Sequence, residues 1–206
     1  MPERHPTAKR VIDAALGLFA ARGVAGTTIV QIEAAAGLAP GSGAFYRHFR
    51  SKAELLDAAI ADAAETTSWG ADAFAGQELS LLEEARLIAW GIWFVFDAHR
   101  DLVLVLTRET ERPSRYTHDP GGWPGDGHLF VIRWLDDKVA GGELVVADTG
   151  ATAIVLMDAV VNYWFQRQTE SEEPYGVDAD RFLDAWVELV DGLRPSRPPL
   201  VVQSAR

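Results

Sequence analysis

"TTIVQIEAAAGLAPGSGAFYRHFRSKAELL", residues 27–56, holds two helix starts, one helix stop and a cluster of cations. Thr28 followed three residues later by Gln31 is a capping box, in which hydroxyl and side-chain amide each satisfy a backbone N–H that a helix's first turn leaves without a partner. Ile29 and Ile32 share one face, and Gly37 stands where a helix ends in a left-handed residue. The spacing predicts a helix of about two turns. Ser51 and Glu54 repeat the capping box and open a longer helix through LLDAAIADAAE. Between these two, a short third helix is expected, begun either by Pro40 as its first residue or by Ser42 as its N-cap.

Upstream, TAKRVIDAALGLFAAR (7–22) places Val11, Ile12, Ala15, Leu16, Leu18 and Phe19 at helical spacings, with Thr7 to cap the start and Gly23 to end it. Four helices thus fit into roughly the first 65 residues. Downstream the chain also reads helical. Ser80 and Glu83 form a third capping box before EEARLIAWGIWFVFDAHR. DLVLVLTRETER is a shorter apolar segment; its LVLVL suits a buried strand on pattern alone, but no strand partner is evident, so a helix is expected. Residues 113–127, PSRYTHDPGGWPGDG, read as a loop. HLFVIRWLDDKVAGG, TGATAIVLMDAVVNYWFQRQ and DADRFLDAWVELVDGLR, the last capped by Asp178, complete the helices. Pro195, Pro198 and Pro199 mark a tail, 195–206, that is not expected to fold.

Of the 206 residues, 48% are hydrophobic and 24% charged, which is globular, and the absence of cysteine excludes a disulfide framework or a thiolate metal site. The opening residues lack the apolar run of a signal peptide. The longest nearly apolar stretch, IAWGIWFVF at 88–96, is far shorter than the roughly 20 residues of a membrane span, so a cytoplasmic protein without a membrane partner is expected. A net charge of −11 argues against a polyanionic partner. Its distribution argues the reverse: residues 1–55 carry seven Lys/Arg against four acids, and the remaining 151 carry twelve against twenty-six. A small module that meets an anion is joined to a body that does not.

Short helices joined by a tight glycine-containing turn make a helix-turn-helix, which presents its last helix to the DNA major groove. Gly41, Ser42, Gly43 and Ala44 are small enough to approach base edges, and Tyr46, His48 and Lys52 reach toward phosphates. Thr28 and Lys52 also sit at helix N-termini, where free amides attract phosphate. Phe45 and Phe49, four apart, anchor the segment inward. Arg47 and Arg50 read as a solvated face, and His48 has no partner at metal-ligand spacing.

The run Thr28, Ala36-Gly37-Leu38, Gly43-Ala44-Phe45-Tyr46, His48-Phe49 and Ser51-Lys52 with Leu55 resembles the DNA-binding region of the TetR family of bacterial transcriptional regulators. One departure stands out: between Gly37 and Tyr46 the chain is two residues longer than the commonest pattern of that family, with Ala39-Pro40-Gly41-Ser42 in place of a shorter serine-led start. The resemblance implies an all-α homodimer of about nine helices, with a helix-turn-helix domain at 1–52 and a ligand-binding and dimerisation domain at 53–194. It implies a repressor released from operator DNA by a small organic molecule, not an enzyme, with no cofactor or metal.

Within the body, aromatics suit a pocket for an apolar or aromatic ligand, and Trp90, Phe94 and Trp134 are the candidates, with Trp123 and His128 beside them. The resemblance places a four-helix dimer interface on the last two helices, where Met157, Val160, Trp164, Trp186 and Leu189 are expected to meet the partner. Two other classes remain: a helical small-molecule binder without DNA binding, and a small helical enzyme. Asp97, His99 and Asp101 would carry the latter, but their alternating spacing points them to different helix faces.

Overall fold

A computed structural model describes residues 6–67, 74, 77–108, 125–169 and 173–195. Among the described residues all regular structure is helical: α1 (Pro6–Arg22), α2 (Ile29–Ala35), α3 (Lys52–Thr66), α4 (Leu81–Ala98), α5 (Arg100–Arg108), α6 (Gly125–Ala140), α7 (Thr149–Thr169) and α8 (Ala179–Asp191), with 3-10 turns at Phe45–Arg47 and Pro174–Gly176. The loop expected at 113–127 lies almost wholly outside the described residues, as do Trp123 and the tail beyond residue 195. None of the described helices is long and apolar enough to cross a membrane.

The chain forms two compact units. One comprises residues 1–69 and 94–126, the other 70–93 and 127–206. In the first unit α1 packs on α2, α3 and α5 through a face made by Val11, Ile12, Ala15 and Phe19, and α3 adds Leu55, Leu56 and Ala59 to the same core. The LVLVL segment is helical, and four consecutive residues, Leu102–Val105, are buried. A helix buried on more than one side needs no alternation of apolar and polar residues, which is why its sequence also suited a strand.

The second unit holds α4 as far as Trp93, then α6, α7 and α8. The helix pair α7–α8 is joined by the Trp186 indole N–H, which donates to the Leu156 carbonyl at 2.8 Å, and by Tyr163 stacked on Phe182 with ring centroids 4.1 Å apart. Trp93 adds a third ring to this column, 5.9 Å from Tyr163. Asp178 caps α8, as expected, by accepting from the Arg181 amide at 2.8 Å.

Candidate nucleic-acid interface

α2 begins with both halves of its capping box in place. Thr28 Oγ1 accepts from the Gln31 amide at 3.3 Å, and the Thr28 amide donates to Gln31 Oε1 at 2.8 Å. The helix ends in a Schellman arrangement, with the Leu38 amide on the Glu33 carbonyl at 2.8 Å and the Gly37 amide on the Ala34 carbonyl at 3.1 Å. Gly37 sits at φ 71, where a side chain would be strained.

No α-helix starts at Pro40 or at Ser42. Gly41 and Gly43 both have φ above 70°, and two left-handed residues so close together break any right-handed helix across them. The chain instead turns at Ala39–Ser42, the Ser42 amide donating to the Ala39 carbonyl at 3.2 Å, and resumes as the 3-10 turn Phe45–Arg47. Ser42 still caps locally, its Oγ accepting from the Ala44 amide at 3.3 Å. The two extra residues of the sequence are thus taken up as a glycine-flanked apex.

Phe45 and Phe49 are buried with ring centroids 5.9 Å apart, so they anchor the segment inward as expected. Ala44 is buried as well, which leaves Gly41 and Ser42 exposed and Gly43 half-exposed at the apex. Tyr46 stands 62% exposed with its ring edge-on to Phe45, while His48 is half-buried beside Phe49. The guanidinium-bearing Arg47 and Arg50, read from sequence as a solvated face, are exposed on the same segment as Tyr46.

Lys52 is tied into the fold. Its Nζ donates to the carbonyls of Val24 and Thr27 at 2.6 and 2.7 Å, stapling the start of α3 to the α1–α2 turn. The helix starts likewise spend amides internally: the Arg50 amide donates to Glu54 Oε2 at 2.7 Å and the Glu54 amide to Ser51 Oγ at 3.1 Å.

Sequence reasoning missed Glu33. It is 1% exposed, and it accepts from the Gly41 amide at 2.7 Å and from the Phe45 amide at 3.0 Å. The Phe45 hydrogen bond holds its carboxyl below the usual carboxylate range; burial opposes this, and the Gly41 and Ala44 amides and the nearby Arg47 charge add to the lowering. The available signal was an acid beside the buried Ile32 of a helix only two turns long.

The first unit also contains a cavity of about 540 Å³ lined by α1, α3 and the α4–α5 junction. Lys9, Asp13, Asp62, Asp97, His99, Arg100 and Asp101 line it together with the apolar Ile12 and Leu16. His99 Nε2 lies 3.3 Å from Thr67 Oγ1. Burial pushes the imidazole below its ordinary value; Asp62 partly restores it and Lys9 lowers it further. Because the unfolded chain then binds the proton more tightly, this stability is complete above about pH 6.5 and is lost as pH falls through the folded-state value. Thermal melts between pH 8 and pH 5 are expected to show a falling Tm that His99→Gln flattens; equal slopes in both proteins would contradict it.

In the second unit Trp134 is buried, and its indole N–H donates to Glu84 Oε2 at 2.6 Å. Lys138 completes this group, its Nζ 2.9 Å from the Glu84 carboxylate and 3.2 Å from Glu143. Trp134 is thus tied to α4 through its indole N–H. His128 Nε2 lies 3.4 Å from Asp158 Oδ1. Trp90 is 37% and Phe94 71% exposed, and with Leu87 they form one apolar stripe along α4. Of the residues expected at a dimer contact, Met157, Val160, Trp164 and Trp186 are buried inside the protomer, and Leu189 alone is exposed, at 64%.

Residues 11–59, which carry α1, α2, the apex and the first part of α3, match the bacterial regulatory proteins of the tetR family. That stretch is similar to the DNA-binding region of TetR-family regulators. Over 59 residues it is 46% identical to the HTH-type transcriptional regulator SrpR of Pseudomonas putida, a stretch covering 29% of this chain and 27% of SrpR. The match to that relative is thus confined to about a quarter of its length. The fold likeness extends further. A regulatory protein of the tetR family from Rhodococcus RHA1 superposes with a TM-score of 0.67 at 19% identity, covering 90% of this chain and 97% of that one. SmeT, solved as a triclosan complex, gives 0.68 at 21% identity, covering 95% and 100%. At such identity the likeness is one of fold.

Proposed function

We propose that this chain is a TetR-family transcriptional regulator that binds operator DNA as a homodimer and acts as a repressor. The observation that carries this reading is the exposed apex Gly41–Gly43 followed at once by exposed Tyr46, Arg47 and Arg50, on a segment whose inner face is locked by Phe45 and Phe49. Small residues at the apex allow close approach to base edges, while the flanking tyrosine and arginines supply phosphate contacts. In a two-fold dimer the two apices would address half-sites about one helical turn of DNA apart.

The homodimer surface we propose is the outer face of α7 and α8, not the residues expected from sequence other than Leu189. Ile154, Val155 and Leu189 are each more than half exposed, on a helix pair whose opposite side is already filled. An apolar stripe of this kind is what a second copy covers.

Release by an organic molecule follows the same reading. The effector is proposed to be apolar or aromatic, in keeping with the exposed Trp90–Phe94 stripe and with triclosan bound to SmeT, and it shifts the balance only as far as its affinity differs between DNA-competent and incompetent states.

Fluorescence anisotropy with DNA flanking the protein's own gene and a shuffled control, at two salt concentrations, tests the proposal. Tight binding to the first duplex, weakened by salt, is expected. Arg47→Ala should weaken binding to both duplexes and reduce the salt slope by about 1. Equal or absent binding of the wild type to both duplexes would instead favour a helical ligand-binder without DNA binding.

A further inference from the structure

Two glycines at positive φ give the apex freedom to adopt many conformations, yet a reading element must present one. Glu33 is placed to make that selection. Its two carboxylate oxygens accept from Gly41 and Phe45, so the residues between them, Ser42 to Ala44, are held as a closed loop over one buried acid. Charge-assisted bonds of this type are stronger than neutral ones, and a carboxylate this buried persists only while such donors satisfy it.

We propose that Glu33 is the positioning residue of the reading apex: a resident internal anion that fixes Ser42 and Gly43 in the one geometry that fits the groove. It touches no DNA itself. The effect on DNA rests on the regulator reading above, whereas the effect on the apex does not.

Glu33→Gln keeps the shape but turns an amide donor toward one of the two backbone N–H groups, so one bond must be lost. Hydrogen exchange followed by NMR on the full chain should show the Gly41 and Phe45 amides exchanging at least tenfold faster in this variant, while amides in the middle of α1 and α3 keep their wild-type rates. In anisotropy titrations the preference for operator over shuffled DNA should fall at least tenfold, with low-salt binding to shuffled DNA and the salt slope unchanged. General destabilisation would lower both affinities together, and a lost phosphate contact would change the slope. Glu33→Ala is expected to act in the same direction more strongly, and if it fails to fold the glutamine variant still decides. Wild-type exchange at Gly41 and Phe45 in Glu33→Gln, or an unchanged operator preference, overturns the inference. Failure of the wild type to bind any DNA removes the regulator reading and leaves the exchange result to judge the role of Glu33.

Discussion

Trp186→Ala is expected to destabilise the protein by about 3–5 kcal/mol, the cost of deleting a large aromatic from a packed core. At about 2–4 °C per kcal/mol for a chain of this size, the melting temperature should fall by roughly 6–20 °C. The side chain is 2% exposed and its N–H reaches the Leu156 carbonyl on the neighbouring helix. Trp186→Phe, which keeps a ring but not the donor, should lose less. Chemical denaturation at several protein concentrations separates core from interface, because a defect confined to a dimer contact disappears as concentration rises. A loss below about 1 kcal/mol, set against the usual cost of a core aromatic, would return Trp186 to the interface.

The complementary change lies on the outer face. Val155→Arg combined with Leu189→Arg places two charges where the proposed partner offers apolar surface, and a residue of hot-spot character contributes about 2 kcal/mol or more. The dimer dissociation constant should therefore rise by at least about 30-fold. Sedimentation velocity should show a folded monomer at micromolar concentration. Operator affinity should drop further, by about 10²-fold or more, because two linked heads lose their mutual effective concentration. An unchanged sedimentation coefficient would mean that copies meet on another face or not at all.

These two variants also mark what the sequence could disclose. Local devices were legible because donor and acceptor lie within one turn: Thr28 with Gln31, Gly37, and Asp178 all behave as their types require. The exposed apolar residues of α7 were not, because that helix carries apolar residues on both sides. Leu156 and Met157 turn inward while Ile154 and Val155 turn out, and spacing alone does not say which stripe meets the protomer's own core. The apex escaped for a related reason. Lys52 and Glu33 bind backbone groups of residues 8 to 28 positions away, and every residue carries the same carbonyl and amide, so nothing in the side-chain pattern announces such a partner. The Trp134 hydrogen bond was hidden in the same way, because its acceptor, Glu84, is 50 residues distant.

The stapled lysine matters for chemistry performed on the protein from outside. The chain has only three lysines, Lys9, Lys52 and Lys138. Lys52 is held by two carbonyls and Lys138 by two carboxylates, whereas the Lys9 side chain is 64% exposed. An ammonium that must break such bonds and shed a proton before it can attack is a poor nucleophile. Among the side chains, amine-directed acylation should therefore modify Lys9 first. A dye or surface tether attached through an activated ester would enter at α1, leaving the apex and the outer face of α7 and α8 chemically untouched.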